Sequence, residues 1–320
     1  GAGSTYNIFY SLGDTLFYFF PVFIGYTAAK KFGIPEMEGM TIGAALIYPY
    51  LLASSEMVHD KLFGIIPIMM PASGDYTSSI IPVIAAVAFA AFFEKKTKDL
   101  RPTDIKMFLQ PMMTCGVTFL LTLAVIGPVA SMISDGLAAF FAWLASVSQI
   151  ILGFAAGALW QVLVMFGLHW ALVPMMLNDL MTNGFSRALL GTFPCTFAQC
   201  GALIAIMIKT KNKKTKQLCG PALISGIAGV TEPAIYGVTL PKKTPFIITC
   251  VVSGVFGAIM MLLGITSWNQ AGMGVFGYPA YVSGNLPENL QAIATEQHLM
   301  TGATGMIWAI ILSLAAAVVT

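Results

Sequence analysis

In the run GVTEPAIYGVTLP, residues 229–241, one carboxylate, Glu232, stands between Thr231 and Pro233 among apolar neighbours. Pro233 removes a backbone donor and interrupts a helix, while Gly229, Gly237 and Pro241 permit turns, so main-chain N–H and C=O groups are bared beside the acid. A strong acceptor next to fixed donors suits a ligand dense in hydroxyls. The same acid could instead lock its own turn by hydrogen bonding, or carry a proton, and the residues alone leave those roles open.

A second constellation is WQVLVMFGLHW, residues 160–170. On a continuous helix Gln161, Met165 and His169 follow one another at four-residue steps that drift about 40° each, which predicts the two polar groups as near neighbours. Both can donate and accept. His169 is one of three histidines and the one inside a strongly apolar run; it is a ligand or a satisfied packing residue. Trp160 and Trp170 could stack on the apolar face of a sugar ring, or sit at a membrane interface. Asn178 and Asp179, in MMLNDLMTNGF beyond Pro174, are binding groups or the cap of their own turn.

Other chemistries lack their spacing. His59, His169 and His298 form no H-x-x-x-H or H-E-x-x-H pattern, so no metal is expected, and no G-x-x-x-x-G-K-[ST] loop is present for ATP. There is no G-x-S-x-G elbow. Asp14, Asp75, Asp135 and Asp179 make no recognisable pair for an intramembrane hydrolase. The five cysteines stand singly in apolar contexts and read as reduced packing residues. No cofactor is expected.

The elements that must hold these groups follow from composition. Of 320 residues 57% are hydrophobic and 9% charged, against about 25% in ordinary soluble domains. With a mean hydropathy of +0.82, this is an all-α integral membrane protein in contact with a lipid bilayer. The net charge of +2 is too small to imply nucleic acid. A carboxylate within the membrane costs roughly 2.5 to 3.5 kcal/mol on insertion scales, so Glu232 must face partners or a cavity.

Spans are predicted at 7–29, 39–55, 77–93, 107–133, 149–168, 188–208, 246–267 and 301–320. Basic clusters separate them: Lys30–Lys31; Lys95, Lys96, Lys98, Arg101 and Lys106; Lys209 to Lys216; and Lys242–Lys243. If all are cytoplasmic, residues 217–241 between the last two clusters are too short for two crossings, and they predict a hairpin that enters and returns on one face. Residues 135–148 are either surface-lying or a short crossing, and 169–187 then cross or form another hairpin. The polar segment 283–298 reads as an extracytoplasmic loop. The first residues, GAGSTYNIFYSLGD, lack a basic n-region and a cleavage motif, so the chain is expected to begin partway into a larger protein.

GVTEPAIYGVTLPKKTPF (229–246), WQVLVMFGLHWALVPMM (160–176) and GDTLFYFFPVFIGYTAAKKFG (13–33) resemble the membrane-embedded IIC domain of a sugar phosphotransferase system (PTS) permease of the glucose superfamily, closest to its β-glucoside branch. The resemblance covers nearly the whole chain. It implies about 8 to 10 transmembrane helices plus re-entrant hairpins. Residues 1–148 would form a dimer-interface half, truncated at its N-terminus where a first family helix is missing, and 149–320 a sugar-binding transport half. It implies a homodimer in the bacterial inner membrane that imports a β-glucoside by alternating access. Phosphate would pass through IIA and IIB partner domains to the sugar, making the chain the permease part of a protein-phosphohistidine-sugar phosphotransferase. No phosphocysteine or phosphohistidine motif stands in this sequence, so the carriers lie elsewhere. By its G-[IV]-T-E-P and F-G-L-H motifs, the resemblance assigns Glu232 and His169 to the sugar, with Thr231, Gln161 and Asn178 placed by adjacency. Sucrose or trehalose is an alternative substrate, and proton-coupled sugar transport an alternative mechanism.

Overall fold

An apolar chain must satisfy its backbone groups internally, and helices do so locally. The computed structural model describes residues 3–51, 61–62, 64–67, 76, 81–97 and 106–320. His59, Asp75, Lys98 and Arg101, and parts of the spans expected at 39–55 and 77–93, lie outside the described residues. Among those described, the non-helical pairing is one short ladder, Lys61–Leu62 with Ile66–Pro67, and a single bridge between Ser186 and Ser267. The chain divides into two units, Gly1–Gly136 and Leu137–Thr320, where the sequence suggests a division at 148/149.

The first unit holds α1 (Ser4–Tyr18), α2 (Phe20–Phe32), α3 (Glu36–Leu46), α4 (Ile81–Thr97) and α5 (Lys106–Leu121). The span expected at 7–29 is thus two helices, which part at Phe19, just before Pro21. A left-handed Gly33 ends α2, so that α3 folds back on it. A Cβ on Gly25 would fall 2.1 Å from the Gly39 carbonyl oxygen, and one on Gly39 2.2 Å from that of Gly25. Small residues let the two backbones touch, which is how apolar helices gain dispersion contact without a hydrophobic drive between them. Ala29, Ile42, Leu46, Val83, Val87 and Leu123 are buried around this pair.

A wide π turn, Thr122–Ile126, follows α5, and α6 (Gly127–Val147) carries the chain into the second unit. Residues 135–147 are therefore helical. Ser148 then caps α7 (Gln149–Phe166), its Oγ accepting from the Ile151 amide at 3.4 Å.

The second unit continues with α8 (Val173–Asn183), α9 (Phe193–Lys209), α10 (Lys213–Ile227), the short α11 (Glu232–Ala234) and α12 (Leu240–Lys242), α13 (Thr244–Leu262), α14 (Glu288–Glu296) and α15 (Thr304–Val319). Its framework is the crossing of α7, α13 and the Leu190–Thr192 turn. A Cβ on Gly157 would lie 2.3 Å from the Ser253 oxygen, and one on Gly191 2.2 Å from that of Gly153. Among the described residues four helical runs are long and apolar enough to cross a membrane: Phe108–Val147, Gln149–Phe166, Leu190–Lys209 and Thr244–Leu262. Thr304–Val319 is a shorter apolar helix. These five fall on expected spans; of the earlier ones, 7–29 is cut into two helices, and 39–55 and 77–93 are described only in part.

Candidate functional site

The Glu232 segment is built as a helical hairpin. Asn212 opens α10, its Oδ1 accepting from the Lys214 and Thr215 amides at 2.9 and 3.3 Å. The outward arm ends at Ile227. Gly229 turns the chain at φ 105°, the Val230 amide reaches back to the Ser225 carbonyl at 3.0 Å, and Ser225 Oγ donates to the Val230 carbonyl at 2.8 Å. The return arm, α11, a π turn over Ile235–Thr239 and α12, brings the chain back to Lys242. Ala234 and Val238 on this arm pack with Leu203 of α9 and with Cys219 and Ala222 of α10. The run between the lysine clusters therefore leaves and returns, as its length predicts, with α10 already begun at Lys213.

At the tip, Glu232 and Thr231 line a cavity of about 280 Å³. His169, Trp160 and Trp170 line it from the other side. His169 stands edge-on to Trp160, with ring centroids 5.4 Å apart, and tilted against Trp170 at 5.6 Å. Its Nδ1 is buried without a hydrogen-bond partner among the described residues. A carboxylate, an imidazole, a threonine and two indoles thus meet in one chamber.

Gln161 is placed elsewhere. The sequence treats 160–170 as one helix, but Gly167 adopts φ 70° and closes α7, and Leu168–Leu172 form a tight 3₁₀ turn. The four-residue phase from Gln161 to His169 is therefore broken: His169 faces the chamber while Gln161 points between helices. Fully buried, Gln161 accepts from Gln199 Nε2 through its Oε1, and Thr249 Oγ1 lies 3.2 Å from both amides. Asn178 is exposed on α8, its carbonyl accepting from Thr182 Oγ1, and it does not line the chamber. Its neighbour Asp179 accepts from Ser186 Oγ at 3.0 Å.

The remaining wall was not legible as a site. Part of it comes from the start of α9, where Thr192 and Thr196 face the cavity, and part from the connection between α13 and α14, where Ser267, Asn269, Gln270, Met273 and Tyr281 do. This connection is locked to the hairpin tip. A Cβ on Gly229 would lie 2.6 Å from the Met273 carbonyl carbon, and one on Gly274 2.3 Å from the Ile227 oxygen. The polar trio Ser267, Asn269 and Gln270, between apolar stretches, was the available signal.

Chemically, the chamber offers a carboxylate and carbonyl acceptors, amide and hydroxyl donors, and flat rings for an apolar ligand face.

Residues 1–254 match the family described as "Phosphotransferase system, EIIC". The chain is 44% identical over 296 residues to the "PTS system beta-glucoside-specific EIIBCA component" of Halalkalibacterium halodurans, covering 88% of this chain and 46% of that protein. It is 35% identical to the protein of the same description from Dickeya chrysanthemi, covering 97% and 47% respectively. It is 28% identical to that of Bacillus subtilis, covering 85% and 44%. The chain thus spans about half the length of the curated relatives it matches. By the family match over most of its length and by these identities, the chain belongs to the EIIC family of the phosphotransferase system, as a multi-pass membrane protein.

Proposed function

We propose that this chain is the sugar-translocating IIC unit of a PTS permease, that its substrate is a β-glucoside, and that the chamber at the hairpin tip is where the sugar binds. The observation that carries the reading is that Glu232 and His169, from distant stretches of sequence, line one cavity together with Thr231, Trp160 and Trp170. The descriptions of the relatives supply the substrate class.

In this reading Glu232 accepts hydrogen bonds from sugar hydroxyls and orients the one to be modified, His169 supplies a second polar contact, and the indoles cover an apolar ring face. Gln161 acts from behind, holding α7 against α9 and α13. Asn178 would join the sugar only through a shift of α8. A phosphorylated IIB cysteine then gives up its phosphoryl group: the S–P bond breaks, an O–P bond forms to the sugar oxygen, and the hydroxyl proton ends on the departing cysteine sulfur. The lysines at the hairpin's base fit docking of such a partner, since Lys209 and Lys242 share a cavity of about 330 Å³. The product, carrying nearly two more negative charges, is repelled by Glu232 and does not return. Homodimerisation through the first half, IIA and IIB carriers, and residence in the bacterial plasma membrane belong to the same proposal.

The test is equilibrium binding to the purified protein. Salicin and arbutin should bind, and sucrose and trehalose should not. Binding of only the latter pair would move the substrate to that branch. Uptake into vesicles driven by a pH gradient with no phosphoryl donor would overturn the mechanism.

A further inference from the structure

A second cavity, of about 460 Å³, lies in the same unit on the far side of the Ser186–Ser267 bridge. Ser267 and Leu189 line the chamber described above, whereas Phe185, Arg187 and Ala188 line this one. The partition is therefore one extended segment, held by the Ser186 amide on the Ser267 carbonyl at 2.8 Å and the reciprocal bond at 3.0 Å.

The lining has a definite chemistry. Arg187 is anchored by donation from its Nη2 to the Met261 carbonyl, and its Nε is buried without a partner among the described residues. Asp179 is held by Ser186 Oγ at 3.0 Å. Gln149, Asn289 and Gln297 contribute three amides, and Phe185 an aromatic ring. A guanidinium and a carboxylate in one cavity cancel in net charge, so the lining favours neither an anion nor a cation. Fixed acceptors, planar donors and a ring face together select a neutral, hydroxyl-rich ligand.

Its location adds a direction. Met261 is at the C-terminal end of α13, a helix of 19 residues whose N-terminus follows Lys242 and Lys243. The cavity is thus roughly 28 Å along that helix from the lysines, close to the thickness of a bilayer core. If the lysines are cytoplasmic, this is the extracytoplasmic side.

We propose that unit 2 carries a second carbohydrate site in this cavity, formed by Asp179, Arg187, Gln149, Asn289, Gln297 and Phe185, which receives the glucoside on the outer side before it enters the Glu232 chamber. The proposal rests on the sugar reading given above.

Calorimetric titration of the detergent-solubilised protein with salicin tests it. Two binding events are expected. Glu232→Gln should weaken one by about 10- to 150-fold. Asp179→Asn, whose amide oxygen can still accept from Ser186, and Asn289→Ala, on the exposed face of α14, should each weaken the other roughly tenfold, as loss of one hydrogen bond implies. Their melting temperatures should match the parent's. A single event, or two events insensitive to both substitutions, overturns the second site and leaves the chamber standing. Absence of any binding by salicin, arbutin, sucrose or trehalose overturns the sugar reading, and this site with it.

Discussion

The Tyr236 hydroxyl donates to the Met165 carbonyl at 3.0 Å, so the arm that carries Glu232 is tied to the last turn of the helix that leads to His169. That carbonyl is among those a helix leaves unsatisfied at its C-terminus. The bond adds a polar tie to the apolar one that buried Ile235, on the same arm, makes in the core it shares with Leu163 and Val164 of α7. Tyr236→Phe should cost about 0.5 to 1.5 kcal/mol of stability, the net worth of one hydrogen bond. It should also weaken salicin binding while leaving the lining residues intact, which a melting curve and a titration would separate.

Glu232→Gln keeps the shape of the side chain and removes its charge. Hydrogen bonds to a charged acceptor are worth about 1.5 to 3 kcal/mol, so salicin affinity should fall by about 10- to 150-fold. Thermal stability should be little changed, because no hydrogen bond to the carboxylate from the described residues holds the hairpin: its turn is closed by Ser225 and Val230. A large drop in melting temperature with unchanged affinity would make the acid a structural lock instead.

Gly157→Ala places a methyl group 2.3 Å from the Ser253 oxygen and 2.6 Å from that of Gly191. Neither backbone atom can swing aside, so α7 and α13 must separate, at a cost of about 1 to 3 kcal/mol. Gly116→Ala, in α5 with nothing within 4 Å among the described residues, is the control and should be neutral or stabilising by up to about 1 kcal/mol. Thermal unfolding of the two proteins in detergent distinguishes them.

The buried amide pair gives a coupling prediction. Gln199→Leu removes the amide donor to Gln161, leaving it only the longer contact from Thr249 in a fully buried position, and should destabilise by about 1 to 3 kcal/mol. Adding Gln161→Leu removes the stranded group, so the double variant should recover part of the loss. A double-mutant cycle read by thermal melting measures that interaction; strict additivity would show that the two amides act independently.

The hairpin was legible because two lysine clusters closed off a run too short to cross twice, and because Gly229 and Pro233 broke it beside the only acid in the stretch. His169 was legible as a polar group in an apolar run. Its relation to Gln161 was not, because a helical phase extends only while the helix does, and Gly167 ends α7 between them. A left-handed glycine stop is visible in the letters F-G-L-H only if the glycine is read as a cap. The wall from Ser267 to Tyr281 was invisible for a different reason. Its residues follow no helical or strand period, and their convergence on Glu232 depends on long-range packing of Met273 against Gly229.

That interlock bears on how a chamber of this design can be re-tailored. With Gly229 abutting Met273 and Gly274 abutting Ile227, main chain rests on main chain from both sides, and a bulkier residue at either position would wedge the cavity open. The scaffold therefore resists redesign of its walls. Altered selectivity has to come from exchanging the lateral groups at Asn269, Gln270 and Thr192, which hang from a frame that holds its dimensions whatever they become.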